Sequence, residues 1–392
     1  MEESACNNAG VEARVRIYLD ANATTTLSPT ARAALIEALD NGPHNPSSAH
    51  SAGIWSREVI ERARMIISDA LDEADLDNLY FTSGGTEGNN IVVRGFAAIP
   101  RAALFCSAVE HASVLKPVSA AGGSVLPVRP DGILDIEEAV RVVGNAPGSS
   151  PVLVCIQAAN SETGIVQPLS EIAERLRSVR EDLYLLVDAA QAFGRIGLRV
   201  GAADAMTFSG HKLHAPAGTG FLLLSDRLKD ILPAFAIGGG QEGGVRPGTQ
   251  NVPGACALAA AVLERMESFE EATAMLAQLR DRLEESVLAS VPGSYVVGKT
   301  SQRVPNTSNI YFPGQDAQSL MARLDAEGIL CSTGSACSSA RPEASPVLKA
   351  MGMSERDASR CLRFSVSVMN TEEEMHEAAR VIALVATKGM SA

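Results

Sequence analysis

The stretch 205-AMTFSGHKLHAPAGTGFLLL-224 carries two apolar runs joined by a polar, Gly/Pro-rich connection. A single amine, Lys212, stands in that connection between His211 and Leu213. Each apolar run is too short for a helix and reads as a buried strand. Similar runs recur upstream: LYF at 79–81, ALFCSA at 103–108, VLVCIQ at 152–157 and LYLLVDA at 183–189. Helical patterns separate them, among them IWSREVIERARMIISDALD at 54–72 and SEIAERLRSVR at 170–180. Continuous apolar strands alternating with helices predict an α/β unit built on a largely parallel sheet, buried on both faces.

Beyond 238-GGGQEGGVRPGTQN-251 the pattern changes. One long helix is expected over about 253–291, then shorter strands, SNIYF (308–312) and CLRFSVSV (361–368), with helices between and after them. This reads as a smaller α+β domain joined to the larger one by the long helix.

The bulk numbers narrow the function classes. The chain has 392 residues, 46% hydrophobic and 20% charged, enough for a large core without covalent staples. A net charge of -13 argues against nucleic acid or an anionic membrane as the main partner. Seven cysteines without paired spacings do not form a disulfide framework in so long a chain. The opening residues MEESACNNAGVEARVR lack the apolar stretch of a secretory signal. No apolar run approaches the ~20 residues that span a bilayer. The expected compartment is the cytoplasm, and no metal site is expected.

In open α/β sheets, ligands gather beyond the carboxyl ends of the strands, and the chemically capable residues fall at such ends. Gly84, Gly85 and Thr86 in TSGGTEGNN (82–90) follow LYF and lead into a helix. Free backbone N–H groups there can hold a phosphate, although an ordinary strand-to-helix turn reads the same way. Asp188 ends another apolar run, with Gln191 shortly after it; a carboxylate there equally suits a helix N-cap. Lys212 follows the next strand, His111 lies just beyond FCSAVE, and Asn160 just beyond VLVCIQ. Together they offer a phosphate cradle, a carboxylate, an aromatic ring and an amine. That set suits pyridoxal 5'-phosphate: a lysine joins the cofactor, an acid keeps its pyridine nitrogen protonated, and backbone amides hold its phosphate. A lysine buried among cations would have a lowered pKa and could serve as a base.

The motifs extend nearly end to end: YLDANATTTLSP (18–29), NPSSAH (45–50), FTSGGTEGNN (81–90), EHASV (110–114), NSETGIVQP (160–168), VDAAQAFG (187–194), SGHKLHAPAGTG (209–220), RPGTQN within 238–251, STGSACSSARPEASPVL (332–348) and LRFS (362–365). In this combination the chain resembles the cysteine desulfurases of the NifS and IscS type, within the class-V, fold-type I aminotransferases. The resemblance implies a large domain (22–269) with a mostly parallel seven-stranded sheet between helices. It also implies a small α+β domain (1–21 and 270–392) carrying a mobile cysteine loop at about 332–345. Pyridoxal 5'-phosphate is the implied cofactor, with Lys212 as its Schiff-base lysine and Asp188 as partner of the pyridine nitrogen. His111 would stack on the ring and act as acid or base, and Gln191 would bond the phenolic oxygen. Gly85, Thr86, Ser209 and His211 would hold the phosphate, and Thr249 would reach it from a second subunit, which implies a homodimer. Asn160, also counted among the cofactor's neighbours, and Arg363 would grip the carboxylate of the L-cysteine substrate. Cys337 would take the sulfur as a persulfide, release L-alanine, and pass the sulfur to an acceptor protein of iron–sulfur cluster assembly or another thiolation pathway.

The remaining cysteines read differently. Cys106, Cys155, Cys256, Cys331 and Cys361 lie in apolar or helical contexts that suit inert core thiols, and Cys6 lies near the N-terminus. The spacing of Cys331 and Cys337, without nearby histidines, is poor for zinc. The residues alone leave rivals: a selenocysteine lyase or an aminotransferase of the same class, or a non-catalytic sulfur-transfer scaffold. The joint presence of Lys212 and Cys337 counts against the last. The chain departs from the family pattern in VSVMNTEEEM after LRFS, and at Ala217, where the family often has lysine.

Overall fold

The computed structural model describes residues 16–42, 44–71, 78–148, 150–198, 201, 203–334 and 344–388. Twelve strands are formed among them. β1 is Ile17–Tyr18, β2 Leu79–Thr82, β3 Ala103–Ser107, β4 Ser124–Leu126, β5 Val152–Gln157 and β6 Tyr184–Asp188. β7 is Ala205–Ser209, β8 Gly220–Leu224, β9 Tyr295–Val296, β10 Thr307–Tyr311, β11 Ile329–Leu330 and β12 Cys361–Ser365. Seven form one sheet in the order β2-β8-β7-β6-β5-β3-β4. Strands β4, β3, β5, β6 and β7 pair in parallel, while β8 runs antiparallel to both β7 and β2. The two reversals cancel, so β2 ends on the same edge as the parallel strands.

The apolar runs form strands because both faces of this sheet are covered. Successive side chains of a strand point to opposite faces. Val154, Ile156, Leu185 and Val187 therefore enter one core, and Leu153, Cys155 and Leu186 enter the other. Strand β4, at the sheet edge, escapes the sequence pattern because Ser124 and Val125 are exposed and only Leu126 is buried.

The long helix expected over 253–291 is two helices, Val252–Glu267 and Phe269–Ser290, broken at Ser268. The break follows from packing. The first helix places Val252, Leu258 and Val262 in the core of the large sheet. The second places Leu276, Leu279, Leu283 and Val287 in a separate core under the three-stranded antiparallel sheet β12-β10-β9. Residues 17–23 run from this second unit to the large one. Leu19 N donates to Leu330 O at 2.8 Å, and Ala21 N to Ser365 O at 3.0 Å. That path delivers Asn22 and Ala23 to the carboxyl edge of the large sheet.

Candidate active site

At that edge lies a cavity of about 360 Å³. Its wall includes Gly85, Thr86, His111, Asp188, Gln191, Ser209, His211, Lys212 and Arg363. Segments that end or follow β2, β3, β6 and β7 converge there, joined by Arg363 from within β12.

The helix Gly85–Ala97 starts at Gly84, and no side chain caps it. Gly84 takes φ 145°, a conformation that side chains oppose, which lets the chain turn from β2 straight into the helix. The first amides of a helix have no partner within it, so Gly85 and Thr86 present N–H groups and the positive end of the dipole to the cavity. Ser209 adds a hydroxyl: its Oγ would lie 3.4 Å from a Cβ placed on Gly84. Further along, Gly88 lets the helix sit close on the sheet, where an added Cβ would come within 2.8 Å of Thr207 Cγ2.

Asp188 is buried at the end of β6. Its Oδ2 accepts from Asn89 Nδ2 at 2.8 Å and its Oδ1 from Ala190 N at 3.0 Å. Asn89 is itself fixed, since its Oδ1 accepts from Thr207 Oγ1 at 2.7 Å.

Lys212 ends a short 3-10 turn, Gly210–Lys212, after β7. Its Nζ donates to Asn22 O at 2.6 Å and Ala23 O at 2.7 Å. Burial lowers this amine from 10.5 to about 7; Arg195 and Arg363 push the same way, against Asp188 and Asp20. Close to half of it is therefore unprotonated near neutral pH. Gln191 donates through Nε2 to Asn22 O at 3.0 Å, and its Oε1 accepts from Arg195 Nη1.

His111 caps the helix Ala112–Ala120. Ser113 N donates to His111 Nδ1 at 3.1 Å, so Nδ1 is an acceptor and also takes the Ser113 hydroxyl proton at 2.7 Å. The neutral ring then carries its proton on Nε2. Burial lowers the pKa of His111, with Asp188 opposing and Lys212 assisting. His211 is lowered to about 4, by burial first and then by Lys212 and Arg195.

Arg363, on β12, is buried with Nη1 donating to Ser161 O at 3.0 Å and Nη2 paired with Asp20 Oδ1. Its Nε is buried without a partner. The residue lines the cavity, where a guanidinium suits an anionic ligand. Ser332 pairs with the backbone of Arg363 at 3.2 and 2.7 Å, and Gly334 lines the cavity.

Two expected residues are not brought to the cavity wall. Asn160 spends its side chain on the backbone: Oδ1 accepts from Glu162 N and Thr163 N, both at 2.9 Å, and Nδ2 donates to Val109 O at 3.1 Å. Thr249 is exposed on the loop after Glu242. Cys337 and Cys6 lie outside the described residues. Asn22, Ala23, Asn89, Ser113 and Arg195 carry no sign of their roles in apolar spacing, although the first two stand in the DANATTT stretch.

The residues fit pyridoxal phosphate. The uncapped helix start with Ser209 and His211 suits a phosphate, the buried Asp188 suits a protonated pyridine nitrogen, and Lys212 is a largely desolvated amine beside both.

Residues 17–377 match the model of the family described as aminotransferase class-V. The chain is 38% identical over 378 residues to the cysteine desulfurase of Nostoc sp., covering 93% of this chain and 92% of that one. Among solved structures, a NifS-like protein from Rickettsia africae superposes with a TM-score of 0.85 at 32% identity, covering 96% of this chain and all of that one (100%). A second, described as SspA in complex with cysteine, superposes with a TM-score of 0.76 at 27% identity, covering 90% of this chain and 99% of that one.

Proposed function

The chain belongs to the class-V aminotransferases and, within them, to the cysteine desulfurases, and from that membership we propose how its residues share the removal of sulfur from L-cysteine. It is a pyridoxal-phosphate-dependent cysteine desulfurase. The observation that carries the residue assignment is the convergence of Lys212, Asp188 and the uncapped start of the helix Gly85–Ala97 on one cavity.

Gly85 and Thr86 amides, with Ser209 and His211, hold the cofactor phosphate, and Asp188 holds the pyridine nitrogen. Gln191 would serve the phenolic oxygen and His111 would stack on the ring, with a proton available on its Nε2. Bound pyridoxal phosphate supplies an electron-withdrawing ring that loosens the substrate's Cα–H and C–S bonds. Lys212 anchors the cofactor and, as an amine with a pKa of about 7, takes the Cα proton. Arg363 binds the substrate carboxylate, a role its place in the cavity wall supports. Asn160 acts on that carboxylate through the loop it fixes, whose Ser161 carbonyl holds Arg363.

Cys337 thiolate attacks the sulfur of bound L-cysteine. An S–S bond forms, the C–S bond breaks with its electron pair staying on carbon, that carbon takes a proton, Lys212 returns to Cα the proton it took, and L-alanine leaves. Gly334, three residues before Cys337 in the sequence, lines the cavity, which supports this role for Cys337, and the relative solved with cysteine supports L-cysteine as substrate. The sulfur then passes to an acceptor protein of iron–sulfur cluster assembly or another thiolation pathway. Thr249 completes the phosphate site of a second subunit in a homodimer, a reading its exposure supports. The division into 22–269 and 1–21 with 270–392 is supported by the separate cores of the two sheets. Among the described residues no helix is long and apolar enough to cross a membrane. The described cysteines are unpaired thiols, which supports a reducing compartment such as the cytoplasm.

The test is anaerobic turnover of L-cysteine with a reductant, measuring alanine and sulfide for the parent and for Cys337→Ala. Matched products from the parent, lost in the variant while the yellow colour stays, are expected. Parental sulfide release by the variant would remove Cys337 from its role. A parent with bound cofactor that forms no alanine would point to another amino-acid substrate.

A further inference from the structure

Five arginines among the described residues are buried: Arg64, Arg180, Arg195, Arg265 and Arg363. Arg64 pairs with Glu242, Arg180 with Asp182 and Arg363 with Asp20. Arg195, 4% exposed, has no carboxylate partner among the described residues. Its pKa is lowered to about 9, by burial first and then by Arg265 and Arg363, so the guanidinium is charged at neutral pH. A buried charge without a counterion is costly, and its neighbours show where this one acts.

Every acceptor that Arg195 meets is neutral. Nη1 donates to Asn22 Oδ1 at 3.0 Å, to Gln191 O at 3.3 Å and to Gln191 Oε1, and Nη2 donates to Lys212 O at 3.3 Å. The Asn22 amide is held without Arg195: its Oδ1 also accepts from Asn306 Nδ2 at 3.1 Å, and its Nδ2 donates to Thr307 Oγ1 at 2.8 Å. Gln191 is different, because among the described residues its Oε1 meets Arg195 alone. A guanidinium offers donors only, so the Gln191 atom against it must be the oxygen. The amide nitrogen is thereby turned the other way, donating to Asn22 O at 3.0 Å on the side where Gln191 lines the active-site cavity. Its second N–H has no protein acceptor among the described residues and is available to a ligand there. A hydrogen bond from a cation to the amide oxygen also polarises the amide and strengthens its N–H as a donor.

We propose that Arg195 is a positioning residue for the bound cofactor: it fixes the Gln191 amide with an N–H toward the phenolic oxygen and strengthens that bond with its charge. The inference deepens the assignment of Gln191 and rests on the reading of Lys212 as the cofactor's anchor. An anionic phenolic oxygen supplies the negative charge that the protein itself lacks near Arg195. The stronger the bond from Gln191, the less that oxygen attracts the proton on the nitrogen joining Lys212 to the cofactor. Arg195 therefore lowers the pH at which this nitrogen loses its proton, a change that the cofactor's visible absorbance reports. Asp188, His111, His211, Lys212 and Arg363 face the same cavity, Asp20 is paired with Arg363, and Arg265 is the other cation beside Arg195. All of these stay in place across the comparison below.

The test follows the visible absorbance of the holoenzyme against pH. Arg195→Met raises the midpoint by about 1 pH unit. Arg195→Gln, which leaves amide donors for the same acceptors but no charge, also raises it, and it keeps the test decisive if Arg195→Met does not fold. Arg195→Lys, which restores a charge, returns the midpoint toward that of the parent. In a Gln191→Leu background, removing the Arg195 charge moves the midpoint by less than half as much. Spectra of the uncharged variants that match the parent at every pH overturn the inference. So does a shift that persists in full with Gln191→Leu, because Arg195 then acts as a distant charge or a structural support and not through Gln191. Borohydride reduction and peptide mapping of the parent separate the two readings. Cofactor fixed to another lysine overturns the role of Lys212 and this inference with it, whereas cofactor on Lys212 with unmoved spectra overturns this inference alone.

Discussion

Arg363→Gln moves the pH at which Lys212 captures pyridoxal phosphate. Only an unprotonated amine attacks an aldehyde. The Lys212 amine is brought from 10.5 to about 7 chiefly by burial, with Arg195 and Arg363 adding to the effect. At pH 7 about half of the apoprotein therefore carries a reactive amine, against about one molecule in 3,000 for an ordinary lysine. Capture by the parent is at its plateau above this pKa and falls about tenfold for each pH unit well below it. Arg363→Gln removes one repelling charge and frees Asp20, which Arg363 now holds, to attract the ammonium. Both changes favour the protonated amine, so the midpoint rises by about 1 unit. The variant is then about tenfold slower than the parent below the midpoint, and the two converge in alkaline buffer. The assay mixes apoprotein with excess pyridoxal phosphate and follows the growth of the yellow absorbance across the pH range. The ratio of variant to parent at each pH cancels the cofactor's own titration and that of the histidines. A parental midpoint near that of an ordinary lysine, or a ratio independent of pH, would refute the reasoning.

Three further outcomes are expected. Glu242 is buried and accepts from Arg64 twice at 3.1 Å, from Phe81 N at 2.8 Å and from Gln250 at 2.8 Å. Glu242→Ala leaves the buried Arg64 charge with only the half-exposed Glu61 at 3.2 Å and lowers the unfolding free energy by about 3 kcal/mol, whereas Arg64→Met with Glu242→Leu costs much less; denaturant titrations of both check this. Gly88→Ala drives a methyl into Thr207 at a cost of about 1–3 kcal/mol. Adding Thr207→Ser, which keeps the hydroxyl bond to Asn89, recovers most of it in thermal melts. Asn89→Ala removes the amide that fixes Asp188 and weakens cofactor retention by about tenfold or more, read by spectrophotometric titration; an unchanged dissociation constant would show that Asn89 does not support Asp188.

Sequence reading reached some of these residues and missed others for identifiable reasons. Asp188 and Lys212 each end or follow an apolar run, and a buried run in a parallel sheet must deliver its end to the shared carboxyl edge. That makes them legible without knowing any contact. Asn22 reaches Lys212 only because the strands of the second unit carry residues 17–23 across, and its partner is 190 residues away. No local spacing encodes that meeting. The break at Ser268 is equally hidden: the helical pattern continues through it without Gly or Pro, and the interruption comes from two cores lying in different units. Asn160 shows the opposite difficulty. It stands at a strand end, yet its side chain is committed to the backbone of its own turn, and a polar residue type cannot reveal whether its partner is a ligand or an amide. Arg265 looks like an ordinary charge on a helix, and it is buried because Gly194 gives its stem space. The deciding quantity is a partner or neighbour from a distant segment for Asn22 and Arg265, the core each helix enters for Ser268, and the backbone of its own turn for Asn160. Apolar periodicity responds to burial alone, so it locates the edge where chemistry gathers and is blind to the groups that hold each reactive atom in place.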